Sequence, residues 1–457
     1  MHDRLCRFIF IGLCMIVVLA PLPNGSAWPL AWDALAFAVA LLLLATLFLP
    51  TSETSIGRER LSVPTVLFGI VMGVAILQTV PWAPAGLTNP IWGQATDILG
   101  NGVHGSIAAD RVAALIYVLR LLLYAGIFYL SVITGRDARR ARVGVRTVAL
   151  SGCLYGIYGL LVYWSGNRTL LWFPKWAYFK DATGTFVNHN SFATYLGLCT
   201  LAAIALTMES FARIDLRGDL RRKIAQAIEF ITRRALFLLM VFILVTALLL
   251  THSRGGLAAT IAGLIALLVA ITFAPGTGRL RRIGVWSIGP GVLMLVIAIL
   301  ISGGGTLDRL AATDIDSNTR LLVDQLTIQA IKDYPILGIG LGSFASVFQI
   351  YRTAAITFYF DLAHNDYLQN VLELGIPAAL CLFTAISCLL WVCIYGIRTR
   401  LRDAIFPCLG LAASALVGLH ATIDFSLQIP AVTAVYLFLL GIAVAQSVSS
   451  RKAALKP

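Results

Sequence analysis

The stretch IPAALCLFTAISCLLWVCIYGI, residues 376–397, decides the fold, because it is long, apolar and free of charged side chains. A helix needs roughly 17 to 25 apolar residues to cross the hydrocarbon core of a bilayer. The whole chain is 59% hydrophobic and 12% charged, with a mean hydropathy of +0.85. Such a composition lies far from that of a soluble domain. We therefore predict an all-α integral membrane protein.

Similar apolar stretches recur along the chain and predict about twelve transmembrane helices. They lie at residues 6–23, 28–50, 64–80, 112–134, 145–164, 190–208, 235–250, 255–273, 284–301, 376–397, 404–422 and 431–447. The first stretch resembles a signal peptide, but a second follows at once, which favours an uncleaved anchor. The predicted organisation is spans 1–9 in residues 1–301, one long polar loop at 302–375, and spans 10–12 with a tail in 376–457.

The distribution of basic residues predicts the orientation of the chain, since Lys and Arg accumulate on the cytoplasmic side of short loops. With both termini inside, 25 of the 35 basic residues fall in cytoplasmic segments, nine fall outside, and Arg120 lies within a span. The interval 302–375 is then periplasmic. The net charge of +13 is explained by these positive-inside loops and does not indicate nucleic-acid binding.

The outer interval carries the residues best suited to chemistry: Arg320, Arg352 and the string Ala363-His364-Asn365-Asp366-Tyr367-Leu368. Outside the cytoplasm an enzyme has no access to nucleotide sugars or ATP. Its donor must therefore arrive already activated, and in a membrane that means a lipid-linked donor.

Two further arginines face the same side. Arg120 lies about two turns inside the outer end of the fourth span, where a cation needs a partner or a wet cavity. Arg254 stands in the short hairpin Thr251-His252-Ser253-Arg254-Gly255-Gly256 between two spans. Arginine binds phosphate oxygens in a bidentate manner. Together these arginines indicate a site for phosphate oxygens, although snorkelling to the interface is an alternative for Arg120.

Other motifs favour structural interpretations. The glycine-rich run at residues 338–342 follows Pro335 rather than a strand, so it indicates a close-packed turn. Asp314 and Asp316 have a spacing that can hold a divalent cation, but a helix start at Asp314 is favoured over that alternative. The eight cysteines lie in or beside predicted spans and suggest neither a disulfide framework nor a metal site. We predict no cofactor and no metal.

Several motifs in order carry a resemblance to the O-antigen ligase and O-antigen polymerase superfamily of bacterial envelope proteins. They are Gly184 to Asn190, Ser253-Arg254-Gly255-Gly256, Arg320 followed by Asp333 to Gly338, and His364 to Leu368 followed by Glu373-Leu374-Gly375. The segment Asp424 to Pro430 also resembles the last outer loop of exopolysaccharide polymerases. The resemblance covers residues 184–430.

The resemblance implies a helical glycosyltransferase of the C type in the bacterial inner membrane. Such an enzyme takes a glycan from undecaprenyl diphosphate and passes it, with inversion and without a metal, to an acceptor hydroxyl such as a lipid A core sugar. His364 would be the general base. The resemblance further implies five substrate-binding residues, of which the arginines would hold the diphosphate: Arg120, Arg254, Arg320, His189 and Asn365. Glu373 is expected in packing or at a helix start.

The sequence leaves three alternatives open. Within enzymes, the acceptor could instead be another lipid-linked repeat, as in a polymerase of exopolysaccharide or O-antigen, or a protein hydroxyl. Outside enzymes, a chain of twelve spans could be a transporter or lipid flippase. Transporters usually bind their substrates near the bilayer midplane and show internal repeats. Here the ionisable residues gather at one face, which favours the enzyme.

Overall fold

The computed structural model describes residues 2–50, 58–84, 86–100, 102–212, 220–275, 278 and 306–448, with the backbone alone at 58–59, 211–212, 220–234 and 306–318. Its helices are α1 His2–Leu19, α2 Pro29–Thr46, α3 Arg58–Gln78, α4 Ile91–Leu99, α5 Arg111–Thr134, α6 Ala138–Trp164, α7 His189–Ala212, α8 Leu220–Leu250, α9 Arg254–Thr272, α10 Thr306–Asp333, α11 Phe344–Tyr351, α12 Asp366–Leu374, α13 Ile376–Thr399, α14 Ile405–His420 and α15 Pro430–Ser447. A two-residue strand β1, Thr169–Leu170, pairs antiparallel with β2, Phe173–Pro174.

The helices confirm the predicted fold class. Eleven of the twelve predicted spans coincide with helices, and the ninth, at 284–301, lies outside the described residues. Within the described part of the chain, eight helices are long and apolar enough to cross a membrane. The apolar part of α8 and all of α14 are shorter, and α1 begins with charged residues. The protein is therefore an all-α integral membrane protein.

Two helices lie at the centre of the bundle. Both α7 and α15 are almost entirely buried; α7 packs against α6, α8, α9 and α14, and α15 packs against α5 and α14. Peripheral α2 instead leaves Leu30, Phe37 and Leu44 largely exposed. Large apolar side chains that face outward along a spanning helix indicate lipid as their solvent.

Segments predicted on the outer side all meet at one end of the bundle, which we call the site end. There the Ala108 N–H donates to the Gln78 carbonyl at 3.0 Å, and the Ala109 N–H donates to the Ile339 carbonyl at 2.8 Å. The Thr185 hydroxyl donates to the Pro21 carbonyl at 2.7 Å. These bonds join the end of α3, the start of α5, the end of α1 and the polar interval.

Segments predicted on the inner side meet at the opposite end. Arg142 of α6 pairs there with Glu209 of α7 at 2.8 Å and with Asp403, which lies between α13 and α14. Gln446 near the end of α15 donates to the Gly135 carbonyl at 2.8 Å. The described loops thus alternate between two ends, as the predicted topology requires.

The polar interval is folded rather than an open loop. It contains α10, α11 and α12, and a separate hydrophobic cluster that includes Val323, Ile339, Phe344 and Phe348 holds them together. The predicted helix start at Asp314 is wrong, because α10 already begins at Thr306. No glycine or proline interrupts residues 306–333, so the sequence contains no break between Thr306 and Asp314 that would end the helix there.

The glycine-rich run forms the close-packed turn that the sequence predicts. Gly338, Gly340 and Gly342 all have positive φ angles of 64°, 95° and 71°. A Cβ atom at Gly338 would lie 2.5 Å from the Glu373 carbonyl oxygen, and one at Gly340 would lie 2.4 Å from the Ala108 Cβ. Only glycine fits such positions, so the turn brings the interval tightly against α5 and α12.

Candidate functional site

The site is organised around His364, which lies just before α12. Asn365 is the N-cap of that helix, and its Oδ1 accepts from the Leu368 N–H at 3.2 Å. The next N–H, of Asp366, donates to the Ala421 carbonyl at 2.9 Å. His364 itself has a φ of 55°, a left-handed conformation that costs free energy for a residue with a side chain. The start of α12 and the loop before it together hold the imidazole against the segment 421–429, which connects α14 to α15.

Asp424 of that segment lies directly behind the imidazole. Its Oδ1 is 3.3 Å from His364 Nδ1, and the carboxylate is 1% exposed, whereas the imidazole is 17% exposed. Nδ1 has no hydrogen bond of good geometry within the described residues, so the carboxylate meets it as a contact at ion-pair distance. The rings of Phe360 and Phe425 meet the imidazole edge to face at 5.7 and 4.5 Å. One ring nitrogen therefore faces a carboxylate while aromatic rings restrict the imidazole.

The two buried carboxyl groups beside His364 differ in their charge state. Burial alone would raise the pKa of Asp424, but its contacts with His364, the charge of His420 and the Phe425 N–H together lower it below its usual value. Burial raises the pKa of Asp366 to about 8, although it accepts hydrogen bonds from Leu427 and Gln428. Near neutral pH the imidazole thus has an ionised carboxylate behind it and a largely neutral carboxyl group nearby.

Asp366 also fixes the position of α12. Its Oδ2 accepts from the Leu427 N–H at 3.3 Å and its Oδ1 from Gln428 Nε2 at 3.2 Å. The Tyr367 hydroxyl donates to the Gly418 carbonyl at 2.9 Å. These bonds join α12 to the end of α14 and to the segment 421–429. The separation between His364 and Asp424 is consequently set by backbone contacts on both sides.

Arg320 of α10 reaches the same segment. Its Nη1 donates to the Ile423 carbonyl at 3.3 Å, next to Asp424. One turn later, Asp324 lies near the Asn365 side chain. Burial raises the pKa of Asp324, opposed by Asn365 and by the charges of His364 and Arg320. The structure therefore brings Arg320 and Asn365 into the surroundings of His364, with Asp324 between them.

The hairpin of Arg254 meets this segment from the other side. Arg254 is exposed and is the first residue of α9, where Ser253 Oγ caps the helix by accepting from the Gly256 N–H at 3.1 Å. A Cβ at Gly255 would lie 2.6 Å from Ile423 Cδ1. Arg320 thus contacts Ile423 directly, and Arg254 is adjacent to Gly255, which packs against Ile423. The positive end of the α9 dipole adds to the charge of Arg254.

His189, at the start of α7, lies next to the same hairpin. Its Nδ1 is 2.7 Å from the Thr251 carbonyl oxygen, which identifies Nδ1 as the protonated nitrogen. The ring stacks on Tyr178 with centroids 4.6 Å apart, and Asp181 Oδ2 lies 3.7 Å from Nδ1. His189 is therefore positioned beside Arg254 rather than beside His364.

Glu373 is a packing residue at the end of α12, not at its start. It is 1% exposed and accepts from the Phe344 N–H at 3.2 Å and from Gln369 Nε2 at 3.3 Å. Burial raises the pKa of Glu373 to about 7. The carboxyl group joins α11 to α12 and does not face His364.

Sequence reasoning assigned no role to Asp424 or Asp324, which the structure places beside the predicted residues. Asp424 is 60 positions from His364, and its one signal was membership of the Asp424 to Pro430 motif. Arg120, in contrast, lies on α5 with contacts to α2 and none to His364. In the part of the chain that the structure describes, no group of three His, Cys, Asp or Glu is arranged to hold a metal ion.

Comparison with known proteins agrees with the motifs. No curated protein matches the chain. Residues 239–383, about a third of the chain, match the model of a family described as O-antigen ligase. The matched segment contains the Arg254 hairpin, Arg320 and His364. The match supports the resemblance to the O-antigen ligase superfamily that the motifs carry.

Proposed function

We propose that the protein transfers a glycan from undecaprenyl diphosphate to an acceptor hydroxyl at the periplasmic face of the bacterial inner membrane. The family match over residues 239–383 supports an O-antigen ligase-like or polymerase-like activity in polysaccharide biosynthesis. The asymmetry of basic residues, 25 inside against nine outside, supports the periplasmic position of the site end. The favoured acceptor is a sugar hydroxyl of the lipid A core.

The observation that carries the proposal is the contact between His364 and the buried carboxylate of Asp424. An ionised carboxylate at Nδ1 favours the tautomer with a proton on that nitrogen, which leaves Nε2 free to accept a proton. The carboxylate also stabilises the imidazolium that forms when the hydroxyl proton is taken up. His364 is then the general base, and Asp424 is a positioning residue that acts through it.

Two arginines supply charge for the leaving group. Arg254 at the start of α9 and Arg320 on α10 both lie at the segment around Ile423. A guanidinium forms paired hydrogen bonds with phosphate oxygens, and it stabilises the negative charge that develops as the bond to the anomeric carbon breaks. These arginines provide the positive charge at the diphosphate in the proposed reaction, which therefore invokes no metal.

The proposed reaction is a single displacement with inversion. His364 Nε2 removes the proton of the acceptor hydroxyl, whose oxygen attacks the anomeric carbon as undecaprenyl diphosphate departs. The two carboxyl groups nearest His364 are poorly placed as nucleophiles, because Asp424 and Asp366 are 1% and 2% exposed and engaged with protein partners. A covalent glycosyl intermediate, which requires an accessible nucleophile, is therefore not part of the proposal.

The proposal is tested with purified protein, a lipid-linked donor and a core-sugar acceptor. A general base contributes typically about 10²–10⁴-fold to a rate, so His364→Ala should slow transfer by that range while donor binding stays close to wild type. His104→Ala, an exposed histidine at the same end, is the matched control and should transfer normally. If His364→Ala weakens donor binding as much as it slows transfer, His364 is a substrate ligand and the base assignment fails.

A strain that lacks the gene distinguishes the acceptors. Loss of all long chains from lipopolysaccharide with an intact core supports the proposed ligase. A single repeat on the core supports a polymerase of O-antigen, and unchanged lipopolysaccharide with lost secreted polymer supports a polymerase of exopolysaccharide. Gel electrophoresis of surface glycans separates the three outcomes.

A further inference from the structure

Arg120 occupies a position in the bundle that the chemistry at His364 does not explain. It lies nine residues after the start of α5, which places it about 14 Å along the helix at 1.5 Å per residue. Both α5 and its neighbour α2 are membrane-spanning helices by length and composition. A guanidinium at this depth is costly unless an anion, a hydrogen-bond acceptor or water meets it.

Two aromatic rings hold the Arg120 guanidinium in place. Its Cζ is 4.8 Å from the ring centroid of Tyr117 on α5 and 5.2 Å from that of Trp32 on α2. Such contacts orient a cation but leave its N–H groups unsatisfied. Within the described residues, no carboxylate lies at ion-pair distance from Arg120 and no acceptor takes a hydrogen bond from it. The nearby Asp33 of α2 is exposed and does not pair with it.

Unsatisfied donors from two helices accompany this cation. Trp32 is 2% exposed, and its Nε1 is buried without a hydrogen-bond partner among the described residues. Arg120 Nε is also buried and without such a partner. Buried polar groups are normally satisfied, so this arrangement indicates an acceptor that the chain itself does not supply.

The chemistry of these groups defines that acceptor. Indole N–H and guanidinium N–H groups donate and cannot accept, so the ligand must present oxygens and carry negative charge. A phosphate offers several oxygens around one anionic centre and matches the planar fork of arginine. The position within spanning helices, with Arg120 itself partly exposed, indicates that the phosphate belongs to a lipid rather than to a solute.

We infer that Arg120 and Trp32 form a binding site for the phosphate of a membrane lipid between α2 and α5. The site is separate from Arg254 and Arg320, which lie at the segment around Ile423. The lipid is either an anionic phospholipid or a polyprenyl diphosphate, because both present phosphate oxygens. The inference stands on the unsatisfied donors and does not depend on glycosyl transfer.

The test measures the dissociation constants of purified full-length protein for phosphatidylglycerol and for undecaprenyl diphosphate in detergent micelles. A hydrogen bond to a charged group contributes about 1.5–3 kcal/mol, so Arg120→Gln should weaken binding of at least one lipid by roughly 10- to 100-fold. Arg168→Gln, an exposed arginine at the same end, is the matched control and should bind as wild type. The lipid that loses affinity identifies the source of the phosphate.

A second variant keeps the test decisive if Arg120→Gln folds poorly. Trp32→Phe retains a ring beside the guanidinium but lacks the N–H, so it should weaken binding by about 2- to 10-fold with an unchanged melting temperature in the absence of lipid. Wild-type affinity in both Arg120→Gln and Trp32→Phe would overturn the inference. Failure of the wild-type protein to bind either lipid would overturn it too.

The same assay separates this inference from the proposed function. His364→Ala should bind both lipids as the wild type does, even if it no longer transfers glycan. If undecaprenyl diphosphate binding depends on Arg254 and not on Arg120, and phosphatidylglycerol binding is unchanged in Arg120→Gln, the lipid site is refuted while the proposed reaction remains supported.

Discussion

Replacing Asp424 with asparagine should slow glycan transfer while leaving the fold and donor binding intact. Asparagine has nearly the same shape, so the substitution removes the negative charge 3.3 Å from His364 Nδ1 with little change in packing. The residue is 1% exposed, and its effect on transfer must therefore pass through neighbouring groups. His364 is the neighbour that the proposed reaction uses.

The size of the effect follows from the distance. At 3.3 Å, a carboxylate and an imidazolium attract by about 5 kcal/mol at an effective dielectric constant near 20, and by about 1.3 kcal/mol in bulk water. The burial of both groups favours the larger value, while residual solvent access to the imidazole reduces it. Since about 1.4 kcal/mol corresponds to a factor of ten, we expect transfer to fall by roughly 10²- to 10³-fold.

The assay compares turnover and donor affinity in nanodiscs for wild type, Asp424→Asn and Asp424→Glu. Asp424→Glu keeps the charge and should recover part of the rate. Asp333→Asn is the matched control, because Asp333 lies at the end of α10 and accepts from the Tyr351 hydroxyl at 2.6 Å, away from His364. A wild-type turnover in Asp424→Asn would refute the argument that the carboxylate supports the base. An equal loss in turnover and donor affinity would identify a structural role instead.

Three further outcomes are expected. Cysteine at Ser165 should react with a membrane-impermeant thiol reagent in whole cells and cysteine at Arg402 should not; the reverse pattern would invert the proposed orientation. Arg254→Lys keeps the charge without the planar fork and should retain part of the activity that Arg254→Ala loses, whereas normal transfer by both variants would remove Arg254 from the site. Burial raises the pKa of Asp366 from 3.8 to about 8, so the folded state holds a proton that the unfolded chain releases, and stability should fall as pH rises from about 4 to 8. Thermal unfolding should show a weaker pH dependence in Asp366→Asn, and an unchanged slope would contradict this reasoning.

The parts of the fold that depend on hydrophobicity and charge could be predicted from the sequence. A chain that crosses a bilayer forms helices because lipid cannot satisfy its backbone hydrogen bonds. The length of each apolar stretch was therefore enough to locate eleven of the described helices near their observed positions. The interval 302–375 differs, because it folds outside the spans and its helix boundaries depend on competing local preferences. Hydropathy therefore did not predict α10 and α11. The helix start predicted at Asp314 was wrong because residues 306–313 contain no glycine or proline that would end the helix.

The composition of the candidate site was predictable only as far as local motifs extend. A motif indicates His364 and Asn365 together, since they are adjacent and begin α12, but it cannot indicate that a carboxylate 60 residues later lies behind the imidazole. That contact requires the Asp366 N–H bond to Ala421 and the Asp366 side-chain bonds to the 421–429 segment. Asp366 belongs to the same motif as His364, so the motif supplies both the proposed base and the residue that attaches it to its partner. The same limit applies to Arg120, whose neighbour Trp32 lies 88 residues earlier. Hydropathy identifies Arg120 as a cation within a spanning helix. Only the packing of α2 on α5 shows that the Trp32 N–H lies beside it and also lacks an acceptor.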